Sequence, residues 1–167
     1  MAAADRICAV ATDLVLANGL DALDIETLAA RVHCSRATIY RYAGGKSQIR
    51  DAVLMRLAAG IIDTVRGAVA GMTGQRRVVT AISVALDQIK ADPLRRLMLD
   101  SGHSPEPGEL HASPMLTQLA AELAGITDDP HAAQWIVRVV ISLALWPISD
   151  AQVERTTLQR FVAPAFG

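Results

Sequence analysis

The stretch Ser35-Arg36-Ala37-Thr38-Ile39-Tyr40-Arg41-Tyr42, followed by Ala43-Gly44-Gly45-Lys46, decides how the rest of the chain is read. Ser35 is a helix-capping residue, because its hydroxyl can accept one of the N–H groups that a helix start leaves unpaired. The helix it opens is expected to run to about Tyr42, where Gly44-Gly45 breaks it. Upstream, Asp24 can cap another short helix, in which Ile25, Leu28, Ala29 and Val32 form one apolar face. Two short helices joined by a turn of three or four residues make a helix-turn-helix, whose second helix enters the major groove of DNA.

Charge is concentrated at the same place. Residues 31–50 hold Arg31, Arg36, Arg41, Lys46 and Arg50 with no acid, a net of +5, between a net of −4 over residues 1–30 and −2 over residues 51–167. The total of −1 argues against a protein that coats nucleic acid or anionic membrane with its whole surface, but not against one narrow basic patch. A charge run alone is commonly just a solvated face. Here it coincides with hydroxyls at a helix start and with arginines, which suit phosphates and base edges. Arg36 and Arg41 can reach either. Both tyrosines of the chain, Tyr40 and Tyr42, also lie here. Exposed tyrosine is costly surface without a partner, so at least one is expected to be partly buried.

These residues resemble the tetracycline-repressor (TetR) family of bacterial transcriptional regulators. Carrying the resemblance are Arg6-Ile7 and Ala9 to Leu16, Asn18-Gly19-Leu20, Leu28-Ala29-Ala30-Arg31-Val32, and above all Ser35 to Tyr42 followed by Lys46 and Ile49. It covers roughly the first 50 residues and is specific as a set. The resemblance implies that Ser35 caps the recognition helix and touches phosphate, and that Arg36 and Ala37 occupy base-reading positions. Thr38, Tyr40 and Tyr42 match backbone contacts, and Lys46 binds phosphate at a helix start. Thr27, on the preceding helix, and Arg41 complete the expected DNA-binding set. Two departures stand out. His33 occupies the turn position where the family usually has Gly, and His tolerates positive φ better than most residues. Ala43 replaces a usual Phe, a loss of core volume that can cost ~3–5 kcal/mol unless neighbours close in.

Elsewhere apolar residues recur at helical spacing, and strand-like alternation is hard to find. Ile7, Val10, Ala11 and Leu14 mark a first helix, and Ile49, Val53, Leu57, Ile61 and Val65 a long one from about Lys46 to Ala70. Further helices are expected over 76–91, briefly after Pro93, over 114–124, over 130–146 and over 151–162, the last capped by Asp150. The fold class is therefore all-α. The resemblance implies a three-helix helix-turn-helix DNA-binding module, residues 1–46, joined by a long helix to a helical ligand-binding and dimerisation body, residues 47–167.

No Phe, Trp or Tyr lies between Ala43 and Gln134. A pocket there must be lined by aliphatics and Met, with Met55, Leu94, Met98 and Met115 as candidates and Trp135 reaching in. A small, apolar, flexible ligand fits such a lining, although the same residues could simply fill the core. Trp135, Val139, Ser142, Leu143 and Trp146 recur on one face, and Val153, Leu158 and Phe161 extend it. A two-fold four-helix interface between two chains would bury that face, with Arg138 at its rim or paired with Glu154. The alternative is that this helix is the monomer's own central helix.

The loop around residues 101–114 carries His103, Glu106, Glu109 and His111, whose spacing matches no standard helical ligand pair. No metal is expected there, and a solvated lid is the simpler role. Cys8 and Cys34 suit reduced thiols, with Cys34 a candidate sensor beside His33 and Arg36. No cofactor motif, P-loop or nucleophile–base set is present, so no catalytic residues are expected and the chain is not read as an enzyme. Composition, 51% hydrophobic and 20% charged, argues against disorder. No apolar run approaches the ~20 residues of a membrane span, and residues 1–20 show no signal-peptide pattern, so a cytoplasmic location is expected. The expected function is a ligand-responsive homodimeric DNA-binding regulator, most simply a repressor released from a palindromic operator. Two rivals remain at this point: an all-helical enzyme or carrier for a phosphorylated small molecule, and a helical interaction protein that has lost DNA binding.

Overall fold

A computed structural model describes residues 2–19, 23–91 and 113–167. They form α1 (Ala3–Asn18), α2 (Ile25–Val32), α3 (Arg36–Ala43), α4 (Lys46–Ala68), α5 (Gly74–Ala91), α6 (Pro114–Ala124), α7 (Pro130–Leu145) and α8 (Ala151–Thr157). A π-helical turn, Leu158–Val162, and a 3₁₀ turn, Ala163–Phe166, follow α8. The described residues are all helix and connecting turn, as the 3.6-residue patterning predicts. The short helix expected after Pro93 lies outside the described residues.

The chain divides into two compact units inside α4, between Ala59 and Gly60, rather than at the 46/47 boundary expected from the motif. The physical reason is burial: Ile49 and Val53, in the first turns of α4, are core residues, so those turns fold with the first unit.

In the first unit α1, α2 and α3 pack against one another. Ile7, Ala11, Leu14 and Val15 of α1, Leu28, Ala29 and Val32 of α2 and Ile39 of α3 are buried. Val10, expected on the α1 face, is only half-buried, and Val15 takes its place in the core. Thr12 is buried among them because its hydroxyl donates to the carbonyl of Cys8 at 2.7 Å, so no polar group is stranded. Ala43 is half-buried at the end of α3.

The second unit is built on α5, α6 and α7 with the C-terminal segment. One aliphatic cluster joins Val78, Ile82 and Leu86 to Ala124, Ile136, Ala144, Leu158 and Val162. A second joins Ile61, Val65 and Val69 to Ala81. The end of α6 is held by Arg77, whose guanidinium donates to the carbonyls of Leu123 and Glu122, both at 2.9 Å. A cation on the last carbonyls of a helix satisfies orphan acceptors and the negative end of the dipole together. Gly125 closes that helix at φ 71°, and a Cβ there would lie 2.8 Å from the Arg77 side chain.

Candidate nucleic-acid interface

Three residues, His33, Cys34 and Ser35, separate α2 from α3. The turn is a Schellman closure of α2. The N–H of Cys34 bonds the carbonyl of Ala29 at 3.0 Å, and that of His33 bonds the carbonyl of Ala30 at 3.2 Å. The closure needs a left-handed residue, and His33 supplies it at φ 56° and ψ 50°. It is the one non-glycine residue with positive φ among those described. Sequence reasoning missed the outer support of this turn: the Arg6 guanidinium, on α1, donates to the carbonyl of Val32 at 3.3 Å.

Both caps fall where the sequence places them. Ser35 Oγ accepts the N–H of Thr38 at 3.1 Å and lies 2.9 Å from Thr38 Oγ1. The two hydroxyls share one hydrogen, so one O–H remains to donate to a phosphate. Asp24 Oδ2 accepts the Thr27 N–H at 2.9 Å and the Thr27 hydroxyl at 3.1 Å. The Thr27 hydroxyl hydrogen is therefore committed to Asp24, and a phosphate contact from Thr27 requires it to leave.

The Thr27 N–H is also the largest cause that holds the Asp24 carboxyl below the ordinary value of 3.8; loss of hydration opposes it, and the Thr27 hydroxyl, the Glu26 N–H and the charge of Lys46 add smaller lowering effects. A carboxyl whose pKa is lowered by folding stabilises the fold above its ordinary pKa, and that contribution fades as pH falls through the lowered value. The melting-temperature advantage of wild type over Asp24→Asn is thus expected to be constant above about pH 5 and to shrink below pH 4. A gap that widened on acidification would contradict this.

On α3 only Ile39 is buried. Ser35, Arg36, Ala37, Tyr40, Arg41 and Tyr42 are exposed, Thr38 is half-buried, and Lys46 is exposed at the first position of α4. Neither tyrosine is in the core: Tyr40 is 57% and Tyr42 51% exposed, so the partial burial expected of one of them goes no further than about half of a ring. The reason is the length of α3. Eight residues give one buried face, and Ile39 already fills it. The result is an uncharged or basic face, with two aromatic rings and two guanidinium groups standing in solvent.

The turn into α4 is tight. Gly44 has φ 76° and ψ −159°, a conformation open to glycine alone. The Gln48 side chain folds back over it to accept the Gly45 N–H. A Cβ at Gly44 would lie 2.6 Å from Gln48 Oε1. Gly44→Ala combines backbone strain with that clash and is expected to destabilise the first unit by about 1–3 kcal/mol, read as a lower melting temperature. An unchanged melting temperature would show that the turn relaxes freely.

Three of the residues expected to hold a ligand are described, one in the first unit and two in the second. Met55 is half-buried in the first unit, Met115 half-buried on α6, and Trp135 exposed on α7. Leu94 and Met98 lie outside the described residues, as do His103, Glu106, Glu109 and His111. An open groove of about 650 Å³ runs between α6 and α7, lined by other residues, among them Thr117, Gln118, Ala121, Thr127 and Gln134. No group of three or more His, Cys, Asp or Glu that could hold a metal ion occurs among the described residues.

The residues expected at a dimer interface divide. Trp146, Val153 and Phe161 are strongly exposed, and Trp135 and Ser142 are exposed. Val139 and Leu143 are half-buried against the aliphatic cluster. Leu158 leaves the set, because it is buried in the chain's own core and offers no surface to a partner. Trp135 packs on Phe166 with ring centroids 6.2 Å apart, and the Arg160 guanidinium lies 5.5 Å from the Phe161 ring centre. Glu154 does not pair with Arg138, which is exposed. It is taken by Lys90, whose Nζ lies 2.7 Å from each carboxylate oxygen.

Comparisons with known proteins agree with this geometry. Residues 7–53 match the family described as bacterial regulatory proteins, tetR family. An uncharacterized HTH-type transcriptional regulator of Mycobacterium tuberculosis, found in two strains, is 28% identical over 97% of this chain and 84% of its own length. Among solved structures, the TetR-family transcriptional repressor QsdR of R. erythropolis is similar with a TM-score of 0.65, 19% identity and coverage of 97% of this chain and 94% of its own. The TetR-family repressor AlkX of Dietzia sp. strain DQ12-45-1b is similar with a TM-score of 0.59, 19% identity and coverage of 96% and 95%. These structural likenesses concern the fold. No helix among the described residues is long and apolar enough to cross a membrane.

Proposed function

From the premise that the chain is a DNA-binding transcriptional regulator of the TetR family, we propose that it acts as a homodimeric repressor in the cytoplasm. It holds a palindromic operator with one α3 per half-site and leaves it when a small apolar ligand binds. The observation that carries the reading is the exposed face of α3. Arg36, Ala37, Tyr40, Arg41 and Tyr42 are in solvent, while Ser35 and Thr38 keep one O–H free at its start. Arg36 and Ala37 stand at the base-reading positions and Lys46 at a phosphate position. Arg36→Ala is therefore expected to change which operator variants are preferred, costing about 1–3 kcal/mol at the base it reads. Loss of affinity that is equal across all sequences would move Arg36 to the phosphate contacts.

Dimerisation is supported by Trp146, Val153 and Phe161, large apolar side chains left in water. The ligand class is supported by the aliphatic clusters of the second unit, which contain no aromatic side chain among their buried members. AlkX is implicated in biodegradation of n-alkanes, and an unbranched alkyl chain is the first probe we would use. A screen in which alkyl compounds raise the melting temperature and release DNA supports this class. Stabilisation by flat aromatics or polycations alone overturns it.

A further inference from the structure

Val78, Ile82 and Leu86 form a buried row on α5, four residues apart, and Lys90 is the next position of that row. Glu154, Leu158 and Val162 form a second row, also four apart and also buried. The two rows share one apolar cluster, and Gly167, at the far end, lies against Gln75. They therefore run antiparallel. At their near end, where an aliphatic pair would continue the pattern, the Lys90 ammonium bonds both oxygens of Glu154 at 2.7 Å.

Rows of Val, Ile and Leu at four-residue spacing look much alike after a slip of one turn, so packing alone separates such registers weakly. The ion pair separates them sharply. A slip one way sets Glu154 against Leu86, and a slip the other way sets Lys90 against Leu158. Either strands a charge among aliphatics. The segment that follows Glu154 also changes geometry. Directly after α8 the chain leaves α geometry, and the N–H of Ala163 bonds the carbonyl of Leu158, five residues back. A wide turn of this kind takes up one extra residue.

We propose that Lys90–Glu154 is a register pin that fixes where α8 sits along α5, and with it the surface of α8 and the following turn that is offered to a second copy of the chain. A one-turn slip would carry Val153 and Phe161 about 6 Å along that surface. The step to the second copy rests on the dimer reading above; the pin itself does not.

The test compares Lys90→Met/Glu154→Leu with the charge swap Lys90→Glu/Glu154→Lys in the full chain. Backbone amide resonances of residues 151–166 report the register, and sedimentation reports self-association. The double apolar variant is expected to show doubled or broadened resonances and self-association at least ten-fold weaker. The swap is expected to restore one set. One native-like set in the apolar variant overturns the pin. Doubled resonances with unchanged self-association keep the pin and overturn its effect on the second copy. A wild type that stays monomeric overturns the dimer reading, while the resonances still judge the pin. Should the apolar variant not fold, the swap decides, and multiple sets in the swap overturn the proposal.

Discussion

Lys90→Met is expected to cost about 3–5 kcal/mol of stability, a large share of what holds a domain of this size together. The Glu154 side chain is 5% and the Lys90 side chain 25% exposed, so the carboxylate has little water to turn to once the ammonium is gone. The cost comes from the stranded charge rather than from a lost attraction, which is why removing one partner is far worse than removing both. Arg66 provides the contrast. It pairs with Asp63 at 3.1 Å and Glu122 at 3.0 Å, but all three side chains are more than half exposed. Arg66→Met should therefore cost below about 1 kcal/mol. Trp135 and Trp146 both belong to the second unit, so urea unfolding followed by tryptophan fluorescence reads the right part of the molecule. Equal effects for the two variants would mean that the Lys90–Glu154 site is wetter than its burial indicates.

DNA affinity should fall steeply with salt. A dimer that neutralises ~8–10 phosphates has a log–log slope on the order of −7 to −9, or roughly 10⁴–10⁵ in affinity between 50 and 200 mM salt. The charge distribution makes this chain more sensitive than its near-neutral total would indicate. The +5 window supplies the attraction, and the acidic remainder supplies nothing to hold DNA nonspecifically once that attraction is screened. Lys46→Ala should weaken binding to all sequences about equally and reduce the slope by about 1 per chain, or about 2 for the dimer. A slope near zero would place the affinity in contacts other than phosphate.

Much of this architecture was legible because the deciding signals are local. Ser35, Asp24 and Asp150 were recognisable as caps because capping is a contact over three or four residues, and each accepts the N–H expected of it. His33 stands where the resemblance implies a glycine, which marked it for the left-handed region, and the closure of α2 holds it there. What sequence reasoning missed is long-range. The supports that Arg6 gives to Val32 and Arg77 to Leu123 join residues distant in the chain, and nothing in their immediate neighbours announces them. Of the two settings the sequence allows Arg138, the rim or a pair with Glu154, the pair is closed because Glu154 bonds Lys90, 64 residues away. The row of buried positions ending at Lys90 appears only once α5 and α8 are set side by side. Leu158, expected at the dimer interface, is core for the same reason, since one apolar position of a short helix does not reveal which of two faces it joins. Both tyrosines of the reader were legible as unusual, but their exposure depended on Ile39 alone filling the inner face of α3.

The central claim, that two copies of this chain hold one DNA site through α3, is tested most directly by fluorescence anisotropy with DNA from upstream of its own gene at about 50 mM salt. Stoichiometry and competition should be measured in the same titration. Saturable binding of two chains per site is expected, displaced by the same duplex and not by unrelated DNA, with Arg36→Ala shifting the preference among operator variants rather than weakening all sequences equally. Absence of binding at low salt, or binding that unrelated DNA competes equally well, would contradict it.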